Sequence, residues 1–255
     1  GRMPKLPADR AFLLLEAGLG LAATSVRAAA EFVRVAPEVG MALDPESLKV
    51  WGEIGRRLAS VNPESAIAFF QVSPSVLSAL PARLRRELLL TAHRQSLISS
   101  TVALDGFRAA PELVRAIEDE ELAARVYAIA GEIARRSATQ SAEFLTRAPE
   151  VIARFRRQHP PRAHARDLSD AASRRLLERA LTLAALFAEK AGGLATEFLL
   201  AFSRMPRAHR LEDHLKVLDH THAFLERGGG IALHYFHVAA RVLAVAGADA
   251  LARWT

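Results

Sequence analysis

A proline recurs along this chain at nearly constant spacing, and the residues around it recur with it. Four segments align, AAEFVRVAPEV, IAFFQVSPSVL, LDGFRAAPELV and SAEFLTRAPEV, with Pro37, Pro74, Pro111 and Pro149 at intervals of 37, 37 and 38 residues. Twelve residues before each proline stands Ser25, Asn62, Ser99 or Ser137, and the same register resumes at Ala191 and Gly228. A period held over six units constrains the fold strongly. A piece of that size cannot bury an apolar face alone, so each copy must stack on its neighbours.

The columns of this alignment have physical meanings. Ser and Asn suit a helix N-terminus, where a side-chain oxygen accepts from an otherwise orphan backbone N–H. Asn62-Pro63 adds a proline where its missing donor is harmless. Four residues before each cap stand Leu21, Leu58, Gln95, Ile133, Phe187 and Phe224, and four after it the residue is always small: Ala29, Ala66, Ala103, Ser141, Ala195 and Ala232. Seven after it come Phe32, Phe69, Gly106, Phe144, Phe198 and Tyr235, followed by Val33, Phe70, Phe107, Leu145, Leu199 and Phe236. Small residues let helices approach and the aromatics fill the space between repeats. The pattern predicts an all-α chain, an α-solenoid of the HEAT or armadillo kind, wound as a right-handed superhelix of about six 37-residue repeats. Each repeat is expected to hold two helices, with the proline opening a short third segment such as Pro74–Leu80 or Pro149–Phe155.

Repeat starts fall at Leu14, Trp51, Leu88, Val126, Ala180 and Val217. Residues 1–13 then read as an N-terminal extension or tag scar, and 14–255 as a single helical-repeat domain. The interval from Ser137 to Ala191 is 54 residues, which places a 17-residue insertion around 157–173. The next register position is Trp254, so the chain is expected to stop at the start of a further repeat.

Composition narrows the function. No cysteine among 255 residues excludes thiol catalysis, disulfides and thiolate metal sites. The apolar stretches Ala11–Val26 and Gly228–Ala240 are interrupted by Glu16, His234 and His237 and fall short of a clean span. The start lacks a signal-peptide pattern. The expectation is a cytoplasmic protein.

Three constellations invite a chemical reading. Gly18-Leu19-Gly20-Leu21-Ala22-Ala23 matches a loose dinucleotide pattern, but the register puts it inside a helix rather than after a strand. Asp219, His222 and Glu226 share one helical face and His234 and His237 another, spacings that can ligate zinc or iron. The two later histidines occupy columns filled elsewhere by Glu31, Arg34, Asp105 and Arg108, so a solvated polar face is the preferred reading and no metal site is assigned. Around the insertion, Arg154, Arg156, Arg157, Arg162, Arg166, Arg174 and Arg175 cluster in a chain of net charge +6. Arginine forks suit carboxylates, so an acidic protein surface is the first candidate partner. A merely solubilising loop and a nucleic acid are the alternatives; only Phe155 lies near enough to stack on a base. With 30 Arg to 4 Lys, codon bias competes as the source of the excess. The chain lacks HExxH, GxxxxGK[ST] and GxSxG patterns, and neither an enzyme nor a cofactor is predicted.

WGEIGRRLASVNPESAIAFFQVSPSVLSALP, echoed by VYAIAGEIARRSATQSAEFLTRAPEVIARF, resembles the Ala/Arg-rich helical repeats that precede the von Willebrand factor A domain in the NorD and CbbO family. The resemblance covers most of the chain through its apolar columns, Ser/Asn caps and Phe-x4-Pro spacing. It implies an adaptor or substrate-recognition arm working with a MoxR-type AAA+ ATPase or its client. The family's DxSxS adhesion motif is absent from these residues.

Overall fold

The computed structural model describes residues 6–158, 168–205 and 211–254. Among them every regular element is an α-helix. The chain divides into two compact units, Gly1–Ala142 and Glu143–Thr255. The first holds α1 (Ala8–Ala22), α2 (Val26–Ala42), α3 (Pro45–Val61), α4 (Pro63–Ser78), α5 (Ala82–Ser96), α6 (Ser100–Ile117), α7 (Glu120–Ala134) and the start of α8 (Ala138–Gln158). The second continues with the rest of α8, then α9 (Leu168–Ala191), α10 (Leu194–Phe202), α11 (Leu211–Leu225) and α12 (Gly229–Trp254). Helix α1 begins at Ala8, so part of the segment read as an extension supplies its first turns.

The caps form as their side chains dictate. Ser25, Ser99 and Ser137 accept from the backbone N–H groups of Ala28, Val102 and Gln140, and Asn62 accepts from Glu64. Asp44 and Asp119 do the same for α3 and α7. Each such cap contributes about 1 kcal/mol. In the second unit Ala191 and Gly228 stand at the register positions without a polar side chain, and Gly192 (φ 50°), beside the first, and Gly228 (φ 143°) adopt backbone conformations that favour glycine.

The prolines are a correction to the sequence reading. Pro37, Pro74, Pro111 and Pro149 lie inside α2, α4, α6 and α8 and open no third segment. An interior proline costs about 3 kcal/mol. The residues beyond it are anchored, however: Val39 and Gly40 after Pro37, and Val76 and Leu77 after Pro74, are buried. Burying one large apolar side chain returns roughly 1.5–3 kcal/mol, enough to hold the helix continuous.

In the first unit α1 packs on α2 and α3, α2 on α4, α3 on α4 and α5, α4 on α6, and α5 on α6 and α7. Phe32, Trp51 and Phe70 meet at ring separations of 4.9, 5.4 and 5.2 Å, and Phe69 meets Phe107 at 4.8 Å. The buried Trp51 Nε1–H donates to Ser73 Oγ at 2.9 Å, and that hydroxyl donates to the Phe69 carbonyl. In the second unit α9 packs on α10 and α11, and α11 on α12. Phe187 stacks on Phe198, and Phe236 meets Phe198 edge-on, each pair at 4.9 Å.

The apolar stretch that opens at Gly228 runs on past Ala240 within α12, a correction to the sequence reading. Gly229–Ala246 is an 18-residue stretch of mean hydropathy 1.3, long and apolar enough to cross a membrane by length and composition. A third of the stretch is buried, with Phe236, Ala239 and Leu243 facing the unit's interior.

Candidate protein-interaction surface

Of the seven arginines, Arg154, Arg156 and Arg157 lie toward the end of α8 and Arg174 and Arg175 on α9, all in the second unit. Arg162 and Arg166, with residues 159–167 of the insertion, lie outside the described residues. Arg154, Arg157 and Arg175 are exposed. Arg174 pairs with Glu178 one turn on, at 3.0 Å. Arg156 and Arg157 occupy the last turn of α8, where cations complement the negative end of the helix dipole. Part of this basic character therefore has a local structural use. Gln158, the last residue of α8, donates its side-chain amide to the Ser203 carbonyl at 3.4 Å.

A second charge pattern escaped the sequence reading. In the first unit Arg27 pairs with Glu64 (2.6 Å), Arg86 with Glu46 (3.1 Å), His93 with Glu53 (3.5 Å) and Arg94 with Glu132 (2.9 Å). In the second, Arg179 pairs with Asp219 (2.8 Å), Lys190 with Glu226 (2.7 Å) and His237 with Glu197 (3.7 Å). All these partners lie 36–40 residues apart, one repeat length. Exposed pairs add little stability, but the opposite charges of the arginine and lysine pairs at this offset favour one register between neighbouring helices. The signal was present as opposite charges separated by the repeat length.

Some of these pairs engage the acidic and histidine residues on and just beyond α11. Asp219 and the His222 Nδ1 both turn to Arg179, the latter at 3.2 Å, while Glu226 turns to Lys190. The Lys190 hydrogen bond and charge hold the Glu226 carboxyl below its ordinary value, with His222 adding to them. His234 and His237 are exposed on α12, as their columns require. No group of three or more potential ligands gathers among the described residues. His220 Nδ1 instead meets the Tyr235 hydroxyl at 3.1 Å, and burial pushes that hydroxyl up to about 12.

Two further features lie in the first unit. Gly18–Ala23 belongs to α1 and its C-terminal turn, so the loose dinucleotide pattern cradles no phosphate. Beside it, a groove of about 310 Å³ runs between α1 and α3, lined by Glu16, Ala17 and Gly20 on one side and Lys49, Gly52, Glu53 and Arg56 on the other. It is shallow because small residues bring the helices close: a β-carbon on Gly52 would stand 3.1 Å from that of Ala17. On α7 the Tyr127 hydroxyl is buried without a hydrogen-bond partner among the described residues, and burial raises its pKa.

No protein-family model, no curated protein and no solved structure matches the chain.

Proposed function

We propose that the chain is an α-solenoid of about six 37-residue repeats acting as a non-catalytic protein-binding scaffold. The observation that carries this reading is the packing of alternate helices in the first unit, α1–α3–α5–α7 and α2–α4–α6, tied by ion pairs at the repeat spacing. Stacked helix pairs spend their apolar faces on one another and leave long lateral surfaces for partners. The arginines of α8, the insertion and α9 supply the recognition chemistry, and an acidic protein surface is their complement. The resemblance to NorD- and CbbO-type repeats makes a MoxR-type AAA+ ATPase or its client the first partner to try, with this chain as adaptor in the cytoplasm. The scaffold requires neither metal nor cofactor.

The test is a pull-down from the source cell with wild type and with Arg156, Arg157, Arg162 and Arg166 reversed to Glu. Loss of an acidic protein partner in the variant, with helicity unchanged, supports the reading. Retention of every partner at the wild-type rate makes the basic segment a passive insertion. Tight binding of nucleic acid near 150 mM salt with a steep salt slope replaces the protein partner by a nucleic acid.

A further inference from the structure

We propose that the end face of the first unit, formed by Phe12, Leu15 and Leu19 of α1 with Val26 and Val33 of α2, is the surface through which two copies of this chain pair. The five side chains are 63–75% exposed. Their spacings, i, i+3, i+7 on α1 and i, i+7 on α2, put them on one side of each helix.

The repeat register identifies what this side normally meets. One repeat later, Phe12, Leu15 and Leu19 become Lys49, Gly52 and Arg56, which face α1 across the groove. Two repeats later they become Arg86, Leu89 and His93; Arg86 and His93 reach back to Glu46 and Glu53 on α3, and Leu89 is buried. Val33 becomes Phe70 and then Phe107, both fully buried, packed on Phe32 and Phe69 of the preceding repeat. The columns of Leu15 and Val33 are thus buried in each following repeat, whereas those of Phe12 and Leu19 carry polar side chains at the rim and that of Val26 becomes the exposed Pro63 and the half-buried Ser100. On α1 and α2 nothing among the described residues covers the Leu15 and Val33 columns. At the rim, the columns that hold Lys49 and Arg56, then Arg86 and His93, hold the apolar Phe12 and Leu19 on α1.

The occupant follows from charge and area. None of the five positions is charged, and the charged neighbours turn elsewhere: Glu16 into the groove, Arg27 to Glu64, Arg34 to Glu31. Two copies, each of net charge +6, repel through most of their surface. They meet without unpaired charge where both present only apolar side chains. The five residues expose on the order of 600 Å² per copy, so a symmetric pair removes roughly 1,200 Å² from water, the lower bound of stable specific interfaces. The face is the same on both copies, as a two-fold interface requires. Leu15 is the midpoint of α1, so antiparallel pairing brings the two Leu15 residues together near the axis. The inference uses only the register of the first repeats and does not depend on what the arginines bind.

Sedimentation of the full 255-residue chain tests it. Wild type is expected to show a concentration-dependent monomer–dimer equilibrium. Leu15→Glu with Leu19→Glu is expected to weaken it about a hundredfold or more, with the circular dichroism spectrum unchanged because both side chains are exposed. Leu97→Glu with Ile98→Glu, exposed apolar residues outside the face, should leave it intact. The chain has no cysteine, so Leu15→Cys gives one thiol per copy, and a short bis-maleimide should link two copies. A wild type that is still monomeric at about 100 μM, where a dimer of even modest affinity is largely formed, overturns the proposal. So does a dimer that survives the double Glu variant, or a dimer that Leu15→Cys does not cross-link.

Discussion

A β-carbon on Gly55 would stand 2.0 Å from Cζ of Phe70 and 2.5 Å from its Cε1. Helix α3 carries a glycine there because the ring of Phe70, wedged against Phe32 and Trp51, fills the volume. Alanine at an ordinary helix interior gains about 1 kcal/mol over glycine. Here that gain is outweighed, because the buried ring has nowhere to move. Gly55→Ala is expected to destabilise the first unit by about 1–3 kcal/mol. Adding Phe70→Leu should recover part of the loss, the coupling expected of touching residues. The chain has two tryptophans, so a Trp254→Phe background leaves Trp51, in the same cluster, as the fluorescent reporter in a urea titration.

The third repeat breaks both the apolar and the aromatic column, and the two departures compensate. Gln95 stands where other repeats have Leu, Ile or Phe, and its Oε1 lies 3.1 Å from the β-carbon position of Gly106. Its Nε2–H donates to Ser141 Oγ at 3.0 Å, and Ser141 donates in turn to the Ala130 carbonyl. Ser141→Ala strands a buried amide donor and is expected to cost about 1–3 kcal/mol. Gln95→Leu with Ser141→Ala removes both partners and should cost less than the single Ser141 variant. A double-mutant cycle by thermal denaturation measures the difference.

Asp44 caps α3 with bonds from the Ser47 hydroxyl (2.6 Å) and the Ser47 backbone N–H (2.9 Å). Burial opposes its charge, but these bonds and those from backbone N–H groups outweigh it and hold the carboxyl below its ordinary 3.8. A depressed native pKa stabilises the fold above the unfolded value, and that stabilisation is lost as pH falls through the native one. Asp44→Asn keeps a capping oxygen without the titration. The stability difference between wild type and Asp44→Asn should therefore be constant at neutral pH, shrink below 3.8 and vanish at lower pH. Denaturant titrations of both proteins from pH 7 to 2, a range chosen to bracket that value, provide the measurement.

Glu118 ends α6 in the left-handed region at φ 56°, the one non-glycine residue with positive φ among the described residues. A side chain there costs roughly 1–2 kcal/mol, and glycine removes the strain while adding some entropy to the unfolded chain. Glu118→Gly is expected to raise stability by about 0.5–1 kcal/mol, read as an increase in the midpoint of thermal unfolding.

Helices, caps and core columns were legible in the sequence because each depends on short-range, periodic physics. A serine oxygen reaches a backbone N–H three residues on, and an apolar stripe repeats every turn, whatever the rest of the chain does. The arginines could be named as a cluster, but their placement on the ends of α8 and α9 required the helices. Tertiary packing decided what no column could. It kept Pro37 and Pro74 inside helices by burying the turns beyond them, and it made Gly55 obligatory by seating Phe70 on it. It also brought Asp219 and His222 to Arg179 and Glu226 to Lys190. Val33 and Phe70 show the physical reason most directly. They share one column, yet one is exposed and the other buried, because burial belongs to the surface that a neighbouring helix pair covers, and only the three-dimensional arrangement says which face has such a neighbour.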